Sequence, residues 1–162
     1  MVFISSAYYK SGSVWLKVRP EDSKFEEIKR DLVLEIHWTT PVLRDGHLYA
    51  FSGRNEPDAR FRCVEFATGK LMWDRDERWH RGTKTPDKYG RGSAIFADGK
   101  LIVLGEGGLL GLFEASPKEP KELARYQVPQ FQYPCWTAPV LADKRLYLRS
   151  ESHLHCLKMK RP

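Results

Sequence analysis

At 162 residues the chain suits one ordinary domain with its own core. A hydrophobic share of 41% with 12% aromatics excludes a disordered chain, and no run approaches the roughly 20 apolar residues of a membrane-spanning helix. The net charge of +6 is spread over interspersed signs outside the stretch 75–91, which excludes the clustered basic face of a nucleic-acid reader.

The first residues, MVFISSAYYK, hold no basic segment leading into a long apolar stretch and no small-residue cleavage site, so they do not form a secretory signal. A cytosolic protein, or a chain lacking its original start, is expected. VFISS at 2–6 aligns with LYAFS at 48–52, so residues 1–30 are expected to hold the second to fourth strands of an incomplete blade. One local signal dissents: Ser23-Lys24-Phe25-Glu26 could cap a helix with Phe25 and Ile28 on one face. The repeat context favours strands over that single turn.

The repeat itself begins at WTTPVL, 38–43, which returns as WTAPVL at 136–141 and, more divergently, as RGSAIF at 91–96. The copies stay in register through Asp45-Gly46, Asp98-Gly99 and Asp143-Lys144, a recurrence of about 50 residues that matches blade-type units. Within each unit an apolar run meets a dipeptide suited to a two-residue hairpin and returns as a second apolar run. In the unit 38–76 the strands are expected at 39–44, 47–52, 60–66 and 71–74. In the unit 91–128 they are expected at 93–97, 100–105, 109–115 and 122–128, and in the incomplete unit 136–162 at 138–142, 145–150 and 153–159. The fold class is therefore all-β: a single partial β-propeller domain over 1–162, of about three to four antiparallel blades, incomplete at both ends.

With Ala67-Thr68-Gly69-Lys70 and Trp73 placed between and on the last two strands of one unit, the pattern resembles the tryptophan-docking repeat of the pyrroloquinoline quinone-like β-propellers. The resemblance takes in 37–49, 90–108, 114–128 and 135–150, and looks like the C-terminal blades of that family. It implies that Trp73 packs onto the neighbouring blade, and that the chain belongs with quinoprotein-like proteins of bacterial envelopes, often labelled as relatives of the outer-membrane assembly propeller. The second full unit departs from the motif, with Glu114-Ala115-Ser116-Pro117 where Thr-Gly should stand. A propeller left open exposes unpaired strand edges, so a fragment, a truncated product or a self-associating partial ring is expected.

Quinone chemistry, as the resemblance implies, needs Glu, Asn and Asp converging on calcium, and in many members a vicinal cysteine pair. The chain has a single asparagine, Asn55, beside Glu56 and Asp58, too few oxygen ligands for a hard cation. No cofactor is expected. His153 and His155 alternate onto one strand face, where a third ligand such as His47 or Cys135 would complete a metal site; they are weak candidates. Cys63, Cys135 and Cys156, an odd number without knuckle spacing, read as small apolar residues. The loop 79–92 interleaves Trp79 and Tyr89 with His80, Arg81, Lys84, Lys88 and Arg91, a composition that can bind sugar phosphates or nucleic acid, or simply connect blades. Gly90-Arg91-Gly92-Ser93 lacks the rest of a phosphate loop, and no nucleophile elbow is present. The resulting expectation is a non-catalytic scaffold or protein- and polymer-binding module, with a C-terminal fragment of a quinone-dependent dehydrogenase as the alternative.

Overall fold

A computed structural model describes residues 1–80 and 86–159 as an all-β chain of four antiparallel sheets, in which the strands of each sheet follow one another in chain order. The first sheet holds β1 (Val2–Ser6), β2 (Gly12–Arg19) and β3 (Lys24–Asp31). The second holds β4 (Val42–Arg44), β5 (His47–Ser52), β6 (Arg60–Glu65) and β7 (Leu71–Asp76). The third holds β8 (Ser93–Ala97), β9 (Lys100–Leu104), β10 (Leu109–Glu114) and β11 (Glu122–Gln127), and the fourth β12 (Val140–Ala142), β13 (Arg145–Arg149) and β14 (Leu154–Lys158). Four consecutive sheets packed face on face make a partial β-propeller. No helix among the described residues is long and apolar enough to cross a membrane.

Strands β4 and β12 start later than the sequence pattern suggests, at Val42 and Val140. Pro41 and Pro139 explain both, because a residue without a backbone N–H cannot donate to the ladder. The capping-box segment is strand: Ser23 takes a left-handed conformation (φ 54°) that closes a short 3₁₀ turn at Pro20–Asp22, and Lys24 onward pairs with β2.

The three equivalent hairpins share one turn. Asp45 and Gly46 have φ of 46° and 75°, Asp98 and Gly99 46° and 73°, and Asp143 and Lys144 47° and 60°. Two consecutive positive φ values match the right-handed twist of the flanking strands, so Arg44 faces His47, Ala97 faces Lys100 and Ala142 faces Arg145. In the third copy a lysine is held where the other two place glycine.

Alternation along β5 and β9 links the sheets in series. Leu48 and Ala50 join Trp15, Leu34 and Ile36 in a core toward the first sheet. Tyr49 and Phe51 turn the other way, into a core with Phe61, Trp73, Leu101, Val103 and Phe113. From β9, Ile102 and Leu104 meet Val128, Phe131, Leu146 and Leu148. Burial holds Cys63 and Cys135 as apolar side chains and pushes both thiols up to about 12, whereas Cys156 lies exposed.

Candidate functional site

Because the strands alternate in direction, connections alternate between the two ends of the sheets. The hairpins at 45–46, 98–99 and 143–144 share one end with the turns at 20–23 and 66–70. The other end collects the longer loops: 7–11, 53–59, 105–108 and 150–153, and, of the sheet-to-sheet links, 32–41, 128–139 and the described residues 77–80 and 86–92. Backbone bonds stitch these loops together, from Ala7 N to Ile36 O, Gly53 N to Glu35 O, Glu106 N to Tyr89 O and Cys135 N to Glu106 O.

At the centre of this loop side lies a buried ion pair. Glu106 accepts hydrogen bonds from Arg91 N (2.9 Å), Nε (3.2 Å) and Nη2 (2.8 Å) and from Trp79 Nε1 (3.3 Å). Arg91 also meets Glu56 at 3.4 Å and donates to Arg54 O, so its charge is fully engaged within the protein. Gly90, at φ 64°, permits the approach: a Cβ there would stand 2.2 Å from Trp79 Nε1.

The repeat equivalents of Arg91 are Trp38 and Trp136, and the three converge. The guanidinium lies 4.6 Å from the centre of the Trp38 ring, and the Trp38 and Trp136 rings are 5.6 Å apart. Beside them Arg91 Nη1 donates to His37 Nδ1 (3.2 Å), which leaves the Nε2 proton to be donated to Tyr8 Oη at 2.7 Å. Burial, and then the charges of Arg91 and Arg54, hold the His37 imidazole below its ordinary pKa.

Next to this cluster a cavity of about 490 Å³ opens between the first and second sheets, lined among others by Tyr9, Lys10, Glu35, Arg54, Asn55 and Asp58. Arg60 and Arg62 form part of its wall, held by Asp74 at 2.9 and 3.2 Å. The Arg54 guanidinium rests over the Tyr8 ring at 4.8 Å. Tyr9 is 92% exposed and Tyr8 41%. The lining carries Lys10, Arg54, Arg60 and Arg62 against Glu35 and Asp58, so a cavity of this size, with the exposed Tyr9 beside it, can take a polar group flanked by apolar surface.

The residues singled out from the sequence fall in different places. In the Ala67-Thr68-Gly69-Lys70 turn, the Thr68 hydroxyl donates to Glu65 and the Thr68 carbonyl accepts from Lys29 of β3, so the turn leans on the first sheet. Gly69 has φ 70°, and a Cβ there would collide with the Lys29 side chain. Trp73 points the opposite way, donating Nε1–H to Ser116 O of the third sheet at 2.9 Å and packing edge-on to Phe61 at 5.2 Å. From the loop 79–92, Trp79, Tyr89 and Arg91 are buried; Tyr89 Oη donates to Glu122 at 2.9 Å and Tyr89 N to Glu77 at 2.9 Å. Desolvation pushes the Glu77 carboxyl above its usual range. His80 is exposed and Lys88 half-buried, while Arg81 and Lys84 lie outside the described residues.

The His153 and His155 rings stand 6.5 Å apart; His153 bonds Ser152 Oγ and His155 packs on Phe131. Among the described residues no three His, Cys, Asp or Glu side chains stand close enough to hold a metal ion. Asn55 and Asp58 line the cavity while Glu56 turns to Arg91. Glu106, His37, Tyr8 and Arg54 escaped the sequence reading. The equivalence of Trp38, Arg91 and Trp136 was the signal that could have located them.

No protein-family model matches the chain, and no curated protein matches it in sequence. Among solved structures it is similar to BamB from Moraxella catarrhalis, with a TM-score of 0.56 and 11% sequence identity over 88% of this chain and 36% of that one. The chain thus spans about a third of the length of this structural relative. The likeness is one of fold and supports a β-propeller relationship.

Proposed function

We propose that residues 1–162 form one partial propeller domain of the quinoprotein-like type that acts as a non-catalytic scaffold, binding a protein or an acidic polymer through its loop side. The observation that carries this reading is the 490 Å³ cavity with Lys10, Arg54 and the exposed Tyr9 on its lining, and Tyr8 held under the Arg54 guanidinium beside it. Loops from several sheets meet there on a rigid base, an arrangement suited to recognition. The partner chemistry that fits is a carboxylate-bearing segment whose apolar surface lies against the two tyrosines.

The test is titration of the whole chain with labelled polyglutamate, with polylysine as control. Binding that weakens about tenfold, equal to ~1.4 kcal/mol, in Arg54→Glu and in Tyr9→Ala is expected. Equal affinity for both polymers, or indifference to both substitutions, overturns the reading. The quinone alternative is probed separately: pyrroloquinoline quinone with calcium should give neither a melting shift nor dye-linked alcohol oxidation, and a shift of several degrees would defeat the scaffold reading.

A further inference from the structure

The first, second and third sheets end on their outer side with β3, β7 and β11; in the fourth, β14 is the outermost strand among the described residues. Its ladder determines which backbone groups stay open. Ser150 N donates to His153 O at 2.9 Å and Met159 N to Lys144 O at 2.8 Å, so alternate residues from 153 to 159 bond toward β13. Leu154, Cys156 and Lys158 therefore direct their N–H and C=O groups to the free edge.

Beside that edge lies a groove of about 150 Å³, lined by Leu110, Leu112, Ala124 and Tyr126 of the third sheet and by Leu157 and Met159. It continues the established core between the third and fourth sheets, to which Leu110, Leu112 and Leu157 already belong. Tyr126 stays 50% exposed over it. The groove occupies the place that a fourth strand of the fourth sheet would fill.

We propose that this edge and groove receive an extended segment of a partner protein, which pairs antiparallel with β14 and seats alternate apolar side chains in the groove. Main-chain hydrogen bonds supply the affinity and the alternate side chains the selectivity. Charge supplies the rest of the partner's description. On the opposite face of the sheet Lys158 stands across from Arg145, and neither has an ion-pair partner among the described residues, so the intervening positions of the incoming strand carry acidic residues.

A second copy cannot fill the edge with its own β14. Antiparallel pairing across a two-fold axis keeps equivalent sheet faces on the same side, and the third sheet of each copy projects over that side, so the two third sheets would occupy one space. The inference rests on the protein-binding reading but uses a surface separate from the loop-side cavity.

The test uses the whole chain and a short labelled acetylated peptide of alternating Val and Glu. One control has the same composition in two blocks, and another carries N-methyl groups on alternate amides. The alternating peptide should bind, and each control should bind at least about tenfold more weakly. Cys156→Pro removes an edge N–H without touching the β13 ladder and should weaken binding as much, while Cys156→Val should not. Equal binding of either control, no saturation by about 1 mM, or indifference to Cys156→Pro in a protein of unchanged melting each overturns the proposal. Should that variant unfold, the N-methylated peptide decides alone. Each titration is repeated in Arg54→Glu, where the cavity's share of any affinity for an acidic peptide is lost; the difference between the alternating peptide and its two controls should persist there, which separates this site from the cavity. A dimer abolished by Cys156→Pro would make a second copy the occupant and overturn the inference.

Discussion

Strands β5, β9 and β13 occupy the same place in their sheets, yet the first two are buried on both faces and the third on one. Leu48, Leu101 and Leu146 face the preceding sheet in all three. On the other face Tyr49 and Phe51, then Ile102 and Leu104, are covered by the sheet that follows, while Tyr147 and Arg149 are not. The residue types mark the change: an arginine stands where Phe51 and Leu104 stand in the other copies. Burial on two faces, rather than hairpin geometry, is what distinguishes the middle of this molecule from its last sheet.

The sharpest way to break that comparison is to hollow out the middle. Phe61 is fully buried and stacks on Phe51 at 4.5 Å, so Phe61→Ala should cost about 3–5 kcal/mol, measured by denaturant unfolding. Trp73→Ala should cost on the order of 3 kcal/mol, whereas Trp73→Phe, which keeps a ring and loses the bond to Ser116, should cost about 1 kcal/mol. Equal costs for the two Trp73 variants would show that the hydrogen bond, not the packing, joins the second and third sheets.

Acidification probes the seam between the first and second sheets. His37 has a folded pKa below its unfolded value, so the unfolded chain takes up the proton first and stability should fall as pH drops through about 6.5. His37→Gln should flatten that dependence in melting curves taken between neutral and mildly acidic pH. An unchanged pH profile would mean that His37 is solvated rather than held by Arg91.

At the last sheet the expected effects are small. Lys144→Gly should stabilise by about 0.5 kcal/mol, because a side chain at φ 60° is relieved of strain that exceeds the added chain entropy. Leu154→Ala, on the open face and 70% exposed, should change stability by less than about 0.5 kcal/mol. A large loss there would mean that something covers this face in solution.

The fold was legible because its signals are local. Asp-Gly at a hairpin imposes its own backbone geometry, and an unbroken apolar run such as 48–51 or 101–104 announces a strand buried on both faces. Strand starts were less legible, since Pro41 and Pro139 interrupt runs that hydrophobicity alone would extend. The direction in which the loop 79–92 turns its side chains was hidden for a different reason. Trp79 and Tyr89 are drawn inward by Glu106 and Glu122, acceptors supplied by a sheet not yet begun at that point in the chain. No local rule couples such groups.

Arg91 is tied to Glu106 in a way that a tryptophan, as in the other two copies, could not be. Neither of the pair can be exchanged alone: tryptophan at 91 would strand a fully buried carboxylate, at a cost of about 3–5 kcal/mol. The two positions form a compensated pair, so the middle copy can take the residue of its siblings only if both substitutions arrive together.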